Sequence, residues 1–265
     1  LQDGLTEAEF FAQFNEKIAT PDTVFVGFNN IRFDDEFMRY GAYRNFYDPY
    51  AWHWKDGKGR WDLLDPFRMM RALRPDGIKW PMLDGKPTVK LELLAKENGV
   101  VHENAHDALS DVLALIELAR RFRQAQPKMF DFLASMRDKK TVEQFIKSNK
   151  TFVYTSGKYD SAYEKTTVAH TLFEHPRRAA AIVYDTREPL EPWLGKTPEE
   201  LAKHWSARYG DEIERLLIKT MQYNRCPAVA PLSVLDDPSK ARIDFSKKML
   251  KRAEELDVQK AFVEN

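Results

Sequence analysis

At 265 residues the chain is long enough for two modest domains that each bury a core, and 43% hydrophobic with 31% charged residues is the make-up of an ordinary globular protein. Forty-one basic residues balance forty-one acidic ones, which excludes a global basic field and confines any nucleic-acid surface to a local patch. One cysteine, Cys226, excludes an internal disulfide framework and a cysteine-built zinc site and fits a reducing compartment. No apolar run reaches the length of a membrane span and no secretory signal is visible. The chain begins at Leu1, enters a helix almost at once, and ends at Asn265 soon after a long amphipathic pattern. Both ends read as cut, so a fragment is expected.

Thr6 followed by Glu9 is a capping box ahead of Phe10, Phe11, Phe14 and Ile18, which predicts a helix over residues 6–19. Thr23 to Gly27 predicts a short strand ending in Asn29-Asn30 loop chemistry. Arg32-Phe-Asp-Asp-Glu36 then leads into a helix through Tyr43. A strand that hands an acidic pair to a helix places carboxylates where open α/β sheets put their sites. An N-cap with dipole complementation accounts equally well for Asp34 and Asp35. From Tyr43 to Trp61 aromatic residues (Tyr43, Phe46, Tyr47, Tyr50, Trp52, Trp54, Trp61) alternate with basic ones, and Asp48-Pro49 and Asp56-Gly57 predict loop or short helix. Such a block suits a single-strand groove, where stacking contributes about 1–3 kcal/mol per base. The plainer expectation is that most of these rings are core and two or three serve as platforms.

Asp62 to Leu73 predicts a helix stopped before Pro75-Asp-Gly77, residues 81–89 a loop, and Leu91 to Asn98 a helix closed by Gly99. Next comes His106-Asp-Ala-Leu-Ser-Asp111, opening a run in which Leu109, Val112, Leu113, Leu115, Ile116, Leu118 and Ala119 recur at helical spacing. A histidine at a helix entry can take a proton near neutral pH, and a carboxylate one turn inside can hold a hard metal ion. The hexamer by itself reads more readily as a cap and a solvated face. Pro127 starts another helix at N1, and residues 139–148 add a basic amphipathic turn or two.

Near Asn149 the character changes. Short strands over 151–154, 166–168 and 180–184 predict a small β-barrel or meander, interrupted by a capped helix from Thr197-Pro198 to about Tyr209. Leu216 to Met221 returns to strand before Asn224-Arg-Cys-Pro227, and a Lys/Arg/Glu-rich helix runs from Asp244 to the end.

Taken together these segments resemble bacterial exonuclease I, within the DEDD superfamily of metal-dependent 3′→5′ exonucleases. The resemblance rests on Gly27-Phe-Asn-Asn-Ile-Arg-Phe-Asp-Asp-Glu36, Tyr43-Arg-Asn-Phe-Tyr-Asp-Pro-Tyr-Ala-Trp52, Arg60-Trp-Asp-Leu-Leu-Asp65, Ala72-Leu-Arg-Pro-Asp-Gly-Ile78 and Asn104-Ala-His-Asp-Ala-Leu-Ser-Asp111. It implies an α/β fold: an RNase-H-like exonuclease domain over residues 1–148, truncated at its N-terminus, then a Src-homology-3-like barrel over 149–243 that embraces single-stranded DNA, then the start of a helical region over 244–265. It assigns Asp34 and Asp111 as catalytic metal ligands and His106 as general base. Two Mg²⁺ ions roughly 4 Å apart would clamp the attacking and leaving oxygens of an in-line displacement and release 5′-mononucleotides.

The same resemblance places Arg39, Tyr50, Trp54 and Arg68 on the single-strand path, and Lys90 where the family carries a substrate-binding arginine. Lysine keeps the charge there and loses the bidentate fork. Arg74 and Lys150 match positions receiving the acidic tail of single-stranded-DNA-binding protein, unless they are plain surface charge. Lys158, Tyr159, Asn224 and Arg225 are candidate strand contacts in the barrel. One departure matters: the family's Asp-x-Glu pair is expected upstream of Leu1, so the fragment is expected to be inactive or nearly so. A cytoplasmic monomer in DNA repair and recombination, with no membrane partner, is implied. A proofreading or RNA-trimming exonuclease, and a non-catalytic single-strand-binding module, stand as alternatives.

Overall fold

A computed structural model describes residues 4–100, 108–207 and 210–259. Helix α1 (Glu7–Gln13) opens on the expected capping box, in which the Glu9 N–H donates to Thr6 Oγ1 at 3.3 Å and the Thr6 N–H donates to the Glu9 carboxylate at 2.8 Å. The expected single helix over 6–19 instead widens into a π-helical turn (Phe14–Ile18). There the Ala19 N–H reaches the Phe14 carbonyl at 2.7 Å, and both side chains join Trp52 in one buried cluster.

Strand β1 (Val24–Gly27) pairs in parallel with β2 (Gly59–Asp62), Val26 opposite Trp61 and Gly27 opposite Asp62. This corrects two expectations: residues 59–62 are strand and not loop, and the next helix starts after Asp62. The reason lies in side chains. Extended backbone turns Trp61 into the core against Phe130, at 5.0 Å between ring centroids. It also frees the Asp62 carboxylate to accept from the N–H groups of Asn29 (2.8 Å), Leu64 (3.0 Å) and Ile31 (3.3 Å). Helices α2 (Asp34–Arg44) and α3 (Leu64–Leu73) follow the two strands. The loop expected at 81–89 contains a minimal hairpin, β3 (Met82–Leu83) and β4 (Lys86–Pro87), turned by Asp84 and Gly85 at positive φ. Then come α4 (Leu91–Glu97), α5 (Ala108–Ala125), α6 (Pro127–Ser135) and α7 (Lys139–Ser148), as read.

The second half is a five-stranded antiparallel sheet of β5 (Thr151–Thr155), β6 (Thr166–Glu174), β7 (Ala180–Asp185), β8 (Ile218–Gln222) and β9 (Ala228–Pro231), in the order β8-β7-β6-β5-β9. Four strands form a meander and β9 returns beside β5. Helix α8 (Pro198–Ser206) is the expected insertion, with a Thr197–Glu200 capping box. Strand β9, the full length of β6, and helix α9 (Asp237–Arg242) escaped the reading. The last helix, α10 (Lys247–Val258), starts three residues later than expected because Asp244 sits at φ 50°, and Ser246 supplies the cap.

One core cluster joins both halves. Phe67 stacks on Phe122 at 3.9 Å and 7°, and Val153, Ala228, Ala230 and Ile243 from the second half pack into the same group.

Candidate active site

The C-terminal end of β1, the start of α2, one face of α3, residues 87–92 and α5 from Ala108 to Arg123 line a cavity of about 1850 Å³. Asp34, Asp111, Lys90 and Arg68 all line it. Asp34 reaches it because Asn29, at φ 65°, turns the chain off the end of β1, while Asp62 pins the turn through its three accepted N–H bonds. Burial raises the Asp62 pKa and those backbone hydrogen bonds hold it down. Asp34 and Asp35 occupy the first turn of α2, yet neither caps it: the N-cap is Phe33, without a side-chain bond. Asp35 points inward, ion-paired with Arg60 and accepting from Asn30 Nδ2 at 3.2 Å. Its pKa is raised by burial against the pull of Arg60. Both residues line the cavity, Asp34 exposed and Asp35 buried and held by Arg60 and Asn30.

Asp111 lies in the first turn of α5. His106 falls outside the described residues. Among the described residues no group of three or more His, Cys, Asp or Glu is placed to hold a metal ion.

Of the expected strand contacts, Arg68 and Lys90 are on the cavity, whereas Arg39, Tyr50 and Trp54 are not among its walls. Arg68 pairs with Asp65 at 2.6 Å and lies against Gly157 so closely that a Cβ there would come within 2.7 Å of its Nη1. Arg39 pairs with Glu36 and lies 4.8 Å from the Tyr40 ring centroid and 5.9 Å from that of Tyr50. The aromatic block corrects the expectation that most of its rings are core. Trp52 and Trp61 are buried, but Tyr43, Phe46, Tyr47, Tyr50 and Trp54 are exposed, Phe46 fully.

Arg74 and Lys150 are engaged within the chain. Arg74 donates to the Val234 carbonyl at 2.6 Å and meets Asp236 at 3.1 Å, and Lys150 is ion-paired with Asp257. Lys158, Tyr159 and Arg225 line another cavity, of about 1210 Å³, whose wall also includes Arg32, Asp62 and Asp65 of the first half. Asn224 is not among its walls, and its carbonyl accepts from Arg60 at 3.1 Å. Sequence reasoning missed Lys219 of β8, which lines this cavity 3.1 Å from the Tyr159 ring centroid. A lysine in a half-buried strand was the only available signal.

Residues 1–119 match the family described as Exonuclease, and residues 137–265 match the Exonuclease I SH3-like domain. The two matches agree with the expected exonuclease domain followed by a Src-homology-3-like one. The chain is 37% identical over 256 residues to Exodeoxyribonuclease I of Haemophilus influenzae, covering 94% of this chain and 54% of that protein. It superposes on the crystal structure of E. coli Exonuclease I in complex with a dA16 oligonucleotide with TM-score 0.92 at 34% identity, over 99% of this chain and 59% of that one. A structure named as an ExoI/SSB-Ct complex gives TM-score 0.88 at 34% identity, over 98% and 58%. The chain thus spans about half the length of the curated relatives it matches.

Proposed function

The chain belongs to the exonuclease I family, and from that premise we propose that it is the substrate-gripping part of an enzyme degrading single-stranded DNA from the 3′ end to 5′-mononucleotides. The observation that carries this reading is the meeting of Asp34, Asp111, Lys90 and Arg68 on one cavity. Two carboxylates suit a hard divalent cation such as Mg²⁺, and two cations suit the phosphates beside it. The described residues do not fit a complete two-ion centre, since no group of three or more His, Cys, Asp or Glu among them is placed to hold a metal ion. What the chain contributes is half of such a site, with His106 as the base that takes a proton from the attacking water, a role contributing about 10²–10⁴-fold.

Exposed Tyr50, beside Arg39, and exposed Trp54 would stack and steer the incoming strand. The sheet domain, with Lys158, Tyr159 and Arg225 on the second cavity, would keep the strand engaged between cleavages and so confer processivity in repair and recombination. The acidic tail of single-stranded-DNA-binding protein is the proposed protein partner at Arg74 and Lys150. It would have to displace Asp236 and Asp257, which now hold those cations.

The test is a paired assay on the purified chain. We expect binding to single-stranded DNA in preference to RNA of the same length, with little or no turnover in Mg²⁺. Robust 3′ degradation would refute the half-site. Any residual turnover should vanish in His106→Ala while DNA affinity is unchanged. The exposed Tyr50 and Trp54 favour, as second reading, a non-catalytic single-strand-binding module, and that reading gains if residual turnover survives unchanged in His106→Ala.

A further inference from the structure

The cavity between the two halves holds a lysine whose side-chain nitrogen makes no hydrogen bond among the described residues. That nitrogen, Lys219 Nζ, is shut off from solvent. It lies 3.1 Å from the Tyr159 ring centroid and 5.6 Å from that of Tyr154. An ammonium group brings three donors, and leaving all of them unmade in a buried site costs more than a ring face returns. The neutral amine escapes most of that cost.

The charged groups around it do not supply the missing partner. Asp185, at the end of β7, directs its carboxylate to Thr167 Oγ1 at 2.5 Å and the Arg187 N–H at 3.1 Å. Asp65, in the first turn of α3, is taken by Arg68. Lys158 from the loop after β5 and Arg32 from the turn before α2 oppose a further positive charge. Burial, the largest influence, accordingly brings the Lys219 pKa down to about 7. Arg187, Arg215, Arg225, Lys86, Lys165, Glu188, Asp62 and Asp160 make up the rest of the charged wall, on which basic side chains outnumber acidic ones.

We propose that Lys219 is a proton-linked receptor for a backbone phosphate of single-stranded DNA: neutral against Tyr159 when the cavity is empty, protonated and turned to the phosphate when a strand enters. Each filled site takes its proton from the buffer. The inference rests on the single-strand reading above and adds the coupling to it. A phosphate beside the amine raises its pKa in the complex. Affinity is therefore highest below about pH 7 and falls above it until the pKa of the complex is passed.

Calorimetry of the full chain with a short oligothymidylate in EDTA, in two buffers of unequal ionisation enthalpy, tests this. We expect uptake of about half a proton near pH 7.5 and an affinity about tenfold weaker at pH 9 than at pH 6. Lys219→Met should show no linked uptake and bind at every pH as the unaltered chain does at pH 9. Lys219→Arg should hold the low-pH affinity throughout. Binding without proton uptake in the unaltered chain, or uptake that survives in Lys219→Met, overturns the proposal while leaving the single-strand reading intact. Failure to bind the oligonucleotide at any pH sinks both. The unaltered chain alone decides the main point, so a poorly folding variant does not shield the idea.

Discussion

Asp34 and Asp35 are neighbours in sequence on the wall of one cavity that meet different environments, Asp34 exposed and Asp35 buried against Arg60. Which of them turns inward could not be read from the sequence, because the deciding partner lies 25 residues further on, in a strand that was itself missed. The pair makes a stability prediction. Arg60→Ala strands a buried carboxylate and should lower unfolding free energy by about 3–5 kcal/mol, whereas Asp35→Leu with Arg60→Met should be close to neutral. Urea denaturation distinguishes the two, and equal losses would mean that the pair itself supplies the stability. Lys219 adds a pH dependence. Its folded pKa, about 7, lies below the ordinary lysine value, so between the two the unfolded chain binds more protons and stability rises with pH. The unaltered chain should gain about 2 kcal/mol from pH 7 to 9 relative to Lys219→Met. A constant difference across that range would show that the amine titrates as it does in water.

At the scale of elements, local chemistry carried the helices and failed on the strands. Thr6, Thr197, Pro127 and Gly99 act within a turn of their own position, so the helix boundaries they set were legible. Strand β2 was hidden because its reasons are distant: a tryptophan seeking Phe130 and a carboxylate serving Asn29, Ile31 and Leu64. Asp62→Ala should therefore cost about 3 kcal/mol by leaving three backbone donors without an acceptor, and Asp62→Asn, which keeps one oxygen, clearly less. Helix α5 shows the opposite error. Its apolar periodicity was read correctly, but the stripe is wider than the core that covers it. Leu118 is 0% exposed and Leu113 is 56% exposed. Leu118→Ala is expected to cost about 2–5 kcal/mol and Leu113→Ala within about 0.5 kcal/mol. Comparable losses at both sites would place Leu113 in a packed environment.

Over the whole molecule, the change of composition near Asn149 was visible in the sequence, whereas the packing across it was not. Val153, Ala228, Ala230 and Ile243 share a core with Leu63, Phe67 and Phe122. Polar groups reinforce the junction: Arg71 pairs with Glu164 at 3.2 Å, and Arg242 donates to the Ala72 and Leu73 carbonyls at 2.8 and 3.1 Å. An interface of buried apolar side chains and satisfied carbonyls cannot open without exposing both halves, so the proposed domains at 1–148 and 149–243 should not unfold independently. Tryptophan fluorescence, which reports Trp61 in the first half and Trp193 in the second, and far-ultraviolet circular dichroism should give one coincident thermal transition. Arg71→Ala should move that single midpoint down, because it leaves Glu164 part-buried without its cation. Two separated transitions, or an Arg71→Ala effect confined to one probe, would instead make the halves independent bodies joined by a weak contact.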